Sequence, residues 1–477
     1  MSSDLEAVLT AADGARAEFA ALPAEVRARA LRRVADTLDG AAGELVPLAN
    51  RETNLPETPR LHAELERTTF QLRLLAETVV DGGYLEATLD SPDTCWPAGG
   101  RADVRRLLVP VGPVVVFAAS NFPFAFSVAG GDTAAALAVG APVVLKANPG
   151  HPLLSDRTGE LVSAALAGAG VPAGAFAVVH GVEVGRATVR DPRIRAGAFT
   201  GSLAGGRALF DLACARPDPI PFYAEMGSVN PVFVTESAAR ERAAGIAEGY
   251  VGSFTLGAGQ FCTKPGLVFV PESQARAFEA LVEAELSGRV AGPLLNERVA
   301  AGYESVLSGL RDHPAVRPVV SGADTAPTLL SCAAADFLAA RDELLVECFG
   351  PASMVVRYRD DAELLACARA FTGELTASVH GSLEDAVAAE LLALLTDRVG
   401  RVLWNGWPTG VSVTYAMQHG GPYPATTAAA HTSVGTTSLR RFLRPVVYQN
   451  MPQALLPEVL RDGNPLDVPR RLDGRLG

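Results

Sequence analysis

Hydrophobic side chains recur at helical spacing through the first 80 residues of the chain. Leu31, Val34, Leu38 and Leu45 follow one another at intervals of three, four and seven positions, with alanines nearby and charged side chains on the other face. Apolar positions at this period form one face of an amphipathic helix. The pattern therefore predicts helices over residues 5–80.

From residue 107 onward, short apolar runs alternate with longer amphipathic segments. LLVPVGPVVVFA (107–118), APVVLKA (141–147) and AGAFTGS (196–202) are typical of buried strands, whereas SDRTGELVSAALAGAG (155–170) has the period of a helix. The alternation resumes at PGLVFVP (265–271). Strands that alternate with helices favour parallel sheets covered on both faces. We therefore predict an α/β fold with two doubly wound, Rossmann-like domains.

One stretch, Leu107 to Gly131, carries no charged residue and is long enough to cross a bilayer. Three prolines, several glycines and the polar step Ser120–Asn121 interrupt it, and a membrane helix with so many backbone breaks is disfavoured. We predict two buried segments joined by a tight loop, and no membrane partner.

Composition narrows the functional class. The chain has 477 residues, 48% of them hydrophobic, and a formal net charge of −12. It has no basic run of the kind that binds nucleic acid, so we expect no nucleic-acid partner. The 6 cysteines include no CxxC pair, which favours a reduced, cytoplasmic protein without a bound metal. The amino terminus lacks the apolar segment of a secretory signal.

Candidate chemistry centres on Cys262, in the segment TLGAGQFCTKPG. Gly257, Gly259 and Gly266 give this segment a permissive backbone, so a tight loop ahead of a strand can present the thiol as a nucleophile. The alternative is that Cys262 is a buried, unreactive thiol, as most single cysteines are.

Two other side chains could act with this thiol. Glu225 ends a predicted strand beside Gly227, where a carboxylate can serve as a general base. Asn121 lies on a loop fixed by Pro123, where its amide can donate a hydrogen bond to an oxyanion. Each has an ordinary alternative as well: a solvated glutamate, or an asparagine in a turn.

Glycines between a strand and a helix, in GAFTGSLAGGRAL (197–209), could bring backbone N–H groups to a pyrophosphate. The spacing is not GxGxxG, and by spacing alone a plain turn is favoured. Lysine occurs only at Lys146 and Lys264, although the chain is rich in arginine. A compact ammonium suits a tight site, which singles out Lys146.

Together these motifs resemble the aldehyde dehydrogenase superfamily. The resemblance covers residues 10–460, and its motifs lie in the family's order. They are SNFPF (120–124), VVLKANPGHP (143–152), FTGS (199–202), EMGSVNP (225–231), GQFCTKPG (259–266), ECFGPAS (347–353) and NGWPTGV (405–411). GQFCTKPG, NGWPTGV and MQHGGPYPAT (417–426) are similar to a bacterial branch with 2-oxoglutarate semialdehyde dehydrogenases and NADP-preferring long-chain aldehyde dehydrogenases.

The resemblance implies a role for each of the three candidates. Cys262 would attack the aldehyde carbon, and Asn121 with the Cys262 backbone N–H would hold the oxyanion of the thiohemiacetal. After hydride transfer, Glu225 would activate the water that hydrolyses the thioester to a carboxylic acid. A thiolate suits the attack, and a thioester remains reactive enough for water to release it.

The resemblance also implies a dinucleotide site. Lys146 would bind the adenosine ribose or its phosphate, and Glu347 and Phe349 would hold the nicotinamide ribose and ring. Further residues expected to line the dinucleotide are Gly181, Gly185, Gly201 and Ser202. NAD-preferring relatives place a glutamate three positions after this lysine, where the present chain has Pro149. A 2′-phosphate would meet no like charge there, so we expect NADP to be used at least as well as NAD.

Substrate candidates lie on the predicted helix around HAELERTTFQLRLLAE (62–77), which in the family borders the aldehyde entrance. Arg67 and Gln71 are four residues apart on one face, and Arg67 could pair with a distal carboxylate such as that of 2-oxoglutarate semialdehyde. Arg73 lies off that face. The alternative is a plain surface arginine. Phe126 could line an apolar channel, as a medium- or long-chain aliphatic aldehyde would require.

Two other functional classes are weaker. A cysteine acyltransferase or hydrolase without a redox step lacks a histidine partnered to Cys262 by any motif and leaves FTGS and ECFGP unexplained. A binding or structural protein would not need Cys262, Glu225 and Asn121 together.

The resemblance predicts a division into three parts. Residues 1–225 would form the N-terminal helices and the dinucleotide domain, with an oligomerisation hairpin near 86–107. Residues 226–425 would form the catalytic domain. Residues 426–477 would return to the cofactor domain and provide a C-terminal oligomerisation segment, giving a homodimer or homotetramer.

Overall fold

A computed structural model describes residues 3–97, 99–322 and 326–477 of the chain. Its helices are α1 (Ser3–Ala21), α2 (Ala24–Gly40), α3 (Ala42–Thr53), α4 (His62–Asp81), α5 (Gly131–Val139), α6 (Pro152–Gly168), α7 (Val182–Arg190), α8 (Leu203–Cys214), α9 (Glu236–Thr255), α10 (Glu272–Leu286), α11 (Glu297–Asp312), α12 (Ala334–Ala339), α13 (Arg341–Leu344), α14 (Asp361–Ala370) and α15 (Ala386–Thr396).

The strands form three sheets. They are β1 (Thr88–Asp90), β2 (Val104–Pro110), β3 (Val114–Phe117), β4 (Val143–Lys146), β5 (Phe176–Val179), β6 (Ala196–Thr200), β7 (Phe222–Glu225), β8 (Val232–Val234), β9 (Leu267–Pro271), β10 (Arg317–Val320), β11 (Thr328–Ala333), β12 (Ala352–Tyr358), β13 (Glu374–His380), β14 (Val399–Trp404), β15 (Leu443–Gln449), β16 (Arg471–Leu472) and β17 (Arg475–Leu476).

The helices predicted over residues 5–80 are confirmed as α1 to α4. Leu31, Val34 and Leu38 of α2 and Leu45 of α3 are buried, because they face one apolar layer shared with α5 and α6. This layer packs on one face of the first sheet. The apolar stripe read from the sequence is therefore the face that anchors the helices.

The first sheet is parallel, with the strand order β5-β4-β3-β6-β7. Alternate side chains of β3 enter different cores: Val114 and Val116 pack under α2 to α6, whereas Val115 and Phe117 pack under α1, α7 and α8. From β3 the chain runs first towards β4 and later returns to add β6 on the other side. Ligands of such sheets bind outside the carboxyl ends of the strands at this switch point.

The second sheet has the order β10-β11-β12-β9-β8-β13-β14, with all neighbours parallel except β10 and β11. Its two faces are also both covered: Phe233 and Phe269 enter one core, and Val232 and Val268 enter the other. The predicted α/β class with two doubly wound sheets is confirmed. The antiparallel edge strand β10 is an addition that the sequence pattern did not predict.

A third, smaller sheet joins distant parts of the chain, in the order β15-β2-β1-β16-β17. Strands β1 and β2 pair antiparallel, and β15 pairs with the other side of β2 from Leu443 opposite Pro110 to Gln449 opposite Val104. The uncharged stretch from Leu107 thus contributes the end of β2, then β3 and a loop. Within the described ranges, no helix is long and apolar enough to cross a membrane.

Candidate active site

The predicted site residues gather where two sheet edges face each other. Lys146 and Glu225 end strands β4 and β7, and Asn121 follows β3, so all three lie at the carboxyl edge of the first sheet. Cys262 precedes β9 and Glu347 precedes β12, at the amino edge of the second sheet. A hydrogen bond from Asn121 Nδ2 to the Gln260 carbonyl, 3.0 Å long, links the two edges.

Cys262 lies on a tightly turned loop between α9 and β9. Gly257, Ala258 and Gly259 have φ values of 57°, 54° and 68°, so three successive residues are left-handed. Asn230 anchors the loop, since its Nδ2 donates to the Cys262 carbonyl at 2.8 Å and to the Lys264 carbonyl at 3.0 Å. The backbone that presents the thiol is therefore fixed on both sides of Cys262.

The thiol itself resists ionisation. Burial raises the pKa of Cys262 well above its usual value, and the negative charges of Glu225 and Glu347 raise it further. The positive charges of Arg67 and Arg401 oppose this rise. A protonated thiol is a poor nucleophile, so the site needs a group that takes its proton.

His419, which the sequence reasoning missed, lies where it could take that proton. His419 Nε2 lies 3.5 Å from Cys262 Sγ and 2.9 Å from Glu225 Oε1. No sequence motif pairs Cys262 with a histidine, because the two residues are 157 positions apart and only the fold brings them together. The one available signal was the segment MQHGGPYPAT, whose histidine had been given no role.

Glu225 is almost completely buried at the end of β7. Burial acts to raise its pKa, but the charge of nearby His419 and the hydrogen bond from the Ser433 hydroxyl outweigh burial and hold the pKa below its usual value. The charge that lowers this pKa is that of an imidazolium, so the Glu225 carboxylate favours the protonated form of His419. Nε2 contacts both the thiol and the carboxylate, so it can take the thiol proton while it is unprotonated, and Glu225 then stabilises the imidazolium.

The side chains expected to bind a dinucleotide surround the switch point of the first sheet. Gly181 has φ 95° and precedes α7, and Ser202 caps α8 by accepting a hydrogen bond from the Gly205 N–H at 3.3 Å. A Cβ on Gly185 would lie 2.8 Å from the Phe117 ring, and one on Gly201 would lie 2.6 Å from the Phe199 ring. At the start of a helix, backbone N–H groups can bind a phosphate, and glycines let the backbone pack closely there.

Lys146, at the end of β4, is half-buried. Burial and the nearby Arg298 lower its pKa.

The second lysine has a structural position: Lys264 Nζ donates to the carbonyls of Cys348 and Ala352, at 2.8 and 2.7 Å. These bonds fix the segment that carries Glu347 and Phe349, and burial raises the pKa of Glu347 to about 7 despite Lys264.

Of the substrate candidates on α4, Arg67 is near enough to Cys262 for its charge to lower the pKa of the thiol. The guanidinium of Arg67 lies 5.4 Å from the centre of the Phe126 ring, whose centre is 6.2 Å from that of His419. Arg67 Nε donates to the Val411 carbonyl at 3.4 Å, but its buried Nη1 has no hydrogen-bond partner. Gln71 is buried against Gly131. Arg73 instead forms exposed ion pairs with Asp36 and Asp39, off this face.

A second arginine beside the thiol had no sequence signal. Arg401, on β14, donates from Nη1 to the Gly410 carbonyl at 3.1 Å and from Nη2 to the Pro408 carbonyl, while its Nε is buried without a partner. Arg67 and Arg401 thus bind neighbouring carbonyls of one segment, those of Val411 and Gly410. In an arginine-rich chain, only the fold distinguishes such a residue from the others.

Aromatic rings form another side of the candidate site. The Phe122 ring contacts the rings of Phe126 and Phe261 edge-on, with centroids 5.3 and 5.2 Å apart, and Arg60 lies 4.4 Å above Phe122. Two further phenylalanines near the motifs, Phe124 and Phe254, pack in apolar cores.

Comparison with known proteins identifies the family of the chain. Residues 1–423 match the model of the aldehyde dehydrogenase family. Alpha-ketoglutaric semialdehyde dehydrogenase 2 of Azospirillum brasilense is 44% identical over 484 residues, covering 99% of this chain and 92% of that protein. Alpha-ketoglutaric semialdehyde dehydrogenase of Acinetobacter baylyi is 44% identical over 462 residues, covering 94% and 87%.

Solved structures share the fold at lower identity. The NADP-dependent glyceraldehyde-3-phosphate dehydrogenase of Bacillus halodurans, complexed with NADP, superposes with a TM-score of 0.79 at 22% identity over 94% of this chain and 90% of that one. Aldehyde dehydrogenase C of Pseudomonas syringae, a mutant complexed with NAD+ and octanal, gives 0.79 at 20% identity over 95% and 90%.

Proposed function

The chain belongs to the aldehyde dehydrogenase family, and we propose that its substrate is an aldehyde with a distal carboxylate, of the 2-oxoglutarate semialdehyde type. The enzyme oxidises an aldehyde to a carboxylic acid with NAD(P). Two curated relatives named for that semialdehyde support the substrate, and the observation that carries it is the arginine pair beside the thiol.

Arg67 and Arg401 each keep a buried guanidinium nitrogen without a hydrogen-bond partner. Buried polar groups are normally satisfied, so such donors need an explanation, and a substrate carboxylate would provide one. Burial lowers the pKa of both guanidinium groups, which reflects the cost of keeping these charges away from water. A substrate anion would offset that cost.

The residues at the switch point fit a dinucleotide. The helix start at Ser202, the close backbone at Gly185 and Gly201 and the ammonium of Lys146 match a pyrophosphate and a ribose. Glu347 and Phe349 would hold the nicotinamide half. When bound, the nicotinamide supplies the acceptor for the hydride that leaves the aldehyde carbon.

In the first half-reaction, the Cys262 thiol transfers its proton to His419 Nε2 as sulfur adds to the aldehyde carbon. The carboxylate of Glu225 stabilises the resulting imidazolium, since its oxygen lies 2.9 Å from that nitrogen. Asn121 uses one N–H to hold the Gln260 carbonyl. Its second N–H, with the Cys262 backbone N–H, would hold the oxyanion.

In the second half-reaction, the thioester on Cys262 reacts with water. The Glu225–His419 pair takes a proton from the water as the water attacks the thioester carbon. The Cys262 sulfur then leaves and receives a proton from the pair. The same pair of side chains therefore serves both steps.

We propose that NADP is used at least as well as NAD. Pro149 stands where a carboxylate would repel a 2′-phosphate, and Lys146 and Arg298 supply positive charge at that end of the site. A strong preference for NAD would contradict the proposal.

One observation favours a different substrate class. The aromatic wall of Phe122, Phe126 and Phe261 would also suit a medium- or long-chain aliphatic aldehyde. The non-redox acyltransferase gains a histidine partner from the structure, but the family assignment outweighs it.

A steady-state assay of reduced-nicotinamide absorbance tests the proposal. The substrates are a carboxylate-bearing aldehyde, 2-oxoglutarate semialdehyde, and pentanal as an uncharged aldehyde of the same chain length, each with NAD and with NADP. We expect kcat/KM for the semialdehyde to exceed that for pentanal by tenfold or more. Equal values, or a preference for pentanal, would favour the aliphatic alternative.

A further inference from the structure

The Glu225–His419 contact leaves a buried oxygen unsatisfied. Oε2 of Glu225 accepts a hydrogen bond from Ser433, but Oε1 has no partner in hydrogen-bonding geometry although His419 Nε2 is only 2.9 Å away. Glu225 is 4% exposed, so water does not replace the missing bond freely. A buried carboxylate oxygen without a donor needs an explanation, and a bound cation would provide one.

Three different donor types converge on this point. The nearest donor atoms of Glu225, Cys262 and His419 all lie within 4.8 Å of one another, and among the residues that the structure describes no other such His, Cys, Asp or Glu trio is found. A thiolate, an imidazole and a carboxylate are the ligands that zinc prefers.

The spacing suits tetrahedral zinc. With Zn–S and Zn–N bonds of about 2.3 and 2.05 Å, the observed Sγ–Nε2 separation of 3.5 Å corresponds to an angle of about 107°. The Nε2–Oε1 separation of 2.9 Å would have to widen by about half an ångström to reach the same angle. A small rotation of the Glu225 carboxylate provides that change.

We propose that Glu225, Cys262 and His419 form a reversible inhibitory zinc site. The thiol proton passes to solvent as sulfur binds the ion, and the thiolate and the carboxylate together neutralise the two positive charges of Zn2+. Arg67 and Arg401 lower the pKa of Cys262 and so favour the thiolate, while their positive charges repel the ion. A water molecule takes the fourth position.

The bound ion blocks oxidation in two ways. The sulfur lone pair that attacks the aldehyde is bound to the ion, and so is the histidine nitrogen that takes the proton. Inhibition is therefore expected to be competitive with the aldehyde. It is not competitive with the dinucleotide, whose expected ligands lie on other strand ends. Binding does not depend on which aldehyde the enzyme oxidises.

Cobalt(II) is the probe, since thiolate-bound cobalt has a charge-transfer absorption and zinc has none. The intact enzyme is titrated with CoCl2 alone, and ZnCl2 is then added to displace the cobalt. We expect one thiolate-bound cobalt per chain, displaced by zinc. Enzymatic inhibition by zinc should follow the same occupancy and be reversed by EDTA.

Variants separate a three-ligand site from a reactive thiol that binds metal alone. Cys262→Ala should abolish the absorption, and His419→Gln and Glu225→Gln should each weaken cobalt binding by tenfold or more. Cys214→Ser, at an exposed cysteine, serves as the matched control and should leave both the absorption and the activity unchanged.

Two results would overturn the proposal. One is a titration without a thiolate band in the unmodified enzyme. The other is a band of unchanged affinity in both His419→Gln and Glu225→Gln. Because binding is read by absorption, a wrong assignment of the aldehyde would leave this test intact.

Discussion

The thiol of Cys262 is held in its neutral form by burial and by two nearby carboxylates, so its reactivity depends on a neighbour. Only His419 Nε2, at 3.5 Å, lies within proton-transfer distance among the contacts described for this thiol. The neighbour is in turn oriented by Glu225. In the proposed mechanism the three side chains act as a unit, so their separate removal should have different kinetic signatures.

Replacing the base tests this unit. In His419→Gln, acylation should slow by about 100-fold or more, as is typical for loss of a general base. Its rate should also rise more steeply with pH than in the unmodified enzyme, because the raised pKa of Cys262 leaves little thiolate at neutral pH. Stopped-flow measurement of the first turnover checks both expectations.

Two further variants, at residues near His419, provide a contrast and a control. Glu225→Gln should still give a burst of reduced cofactor but release the acid slowly, so the acyl-enzyme accumulates. His431→Gln changes another histidine, whose ring contacts Tyr223, and should leave the burst unchanged. A normal acylation rate in His419→Gln would refute the base role.

Arg67 gives a prediction about specificity. A hydrogen bond to a charged group contributes about 1.5–3 kcal/mol, so Arg67→Gln should lower kcat/KM for a carboxylate-bearing aldehyde by roughly 10- to 150-fold. For pentanal the value should stay within a few-fold. Steady-state kinetics of both aldehydes measure the difference.

Arg73→Gln is the matched control, because Arg73 lies on the same helix but forms exposed ion pairs with Asp36 and Asp39. It should change neither value. A parallel loss for both aldehydes in Arg67→Gln would indicate a structural role for Arg67 and not carboxylate recognition.

At the scale of elements, the loop that carries the nucleophile is held in a costly conformation. Ala258 has φ 54°, which is disfavoured for a residue with a side chain, and its neighbours Gly257 and Gly259 share that region. A Cβ on Gly259 would overlap the Gly350 carbonyl in the segment that carries Glu347 and Phe349. The loop therefore couples the nucleophile to the expected nicotinamide site.

Adding that Cβ tests the coupling. Gly259→Ala should destabilise the protein by about 1–3 kcal/mol, the range for a strained backbone position, and should lower kcat. Thermal unfolding and steady-state kinetics measure the two effects. Gly252→Ala, in the preceding helix α9 with no atom within 4 Å of the added Cβ, should instead be neutral or stabilising. Equal stability of the two variants would argue against close packing at Gly259.

The sequence predicted those elements whose signal is local. The helices around Leu31 and Leu38 and the strand that contains Val114 to Phe117 follow from periodicity, because each has a face or faces that must be buried. The placing of Asn121 and Glu225 at one sheet edge follows from parallel strands alone. No local pattern could place His419 or Arg401 near the thiol, because both are far from Cys262 in the sequence and only the fold brings them together.

At the scale of the whole molecule, the third sheet is assembled from residues that are far apart in sequence. Strand β15 pairs with β2 on one side, and its other side has no neighbour among the described strands. An open strand edge presents unpaired backbone groups and readily pairs with another chain. Val447, near the middle of β15, is 55% exposed. We propose that this edge contributes to a homodimer or a homotetramer.

The assembly can be measured by light scattering coupled to size exclusion. The unmodified enzyme should elute with at least twice the mass of one chain, whereas Val447→Arg should shift the population towards monomer, because a buried charge at an interface costs several kcal/mol without a partner. Leu383→Arg is the control: Leu383 is 92% exposed, in the turn between β13 and α15. A monomeric unmodified enzyme, or a Val447→Arg variant with unchanged mass, would show that the edge of β15 is not the interface.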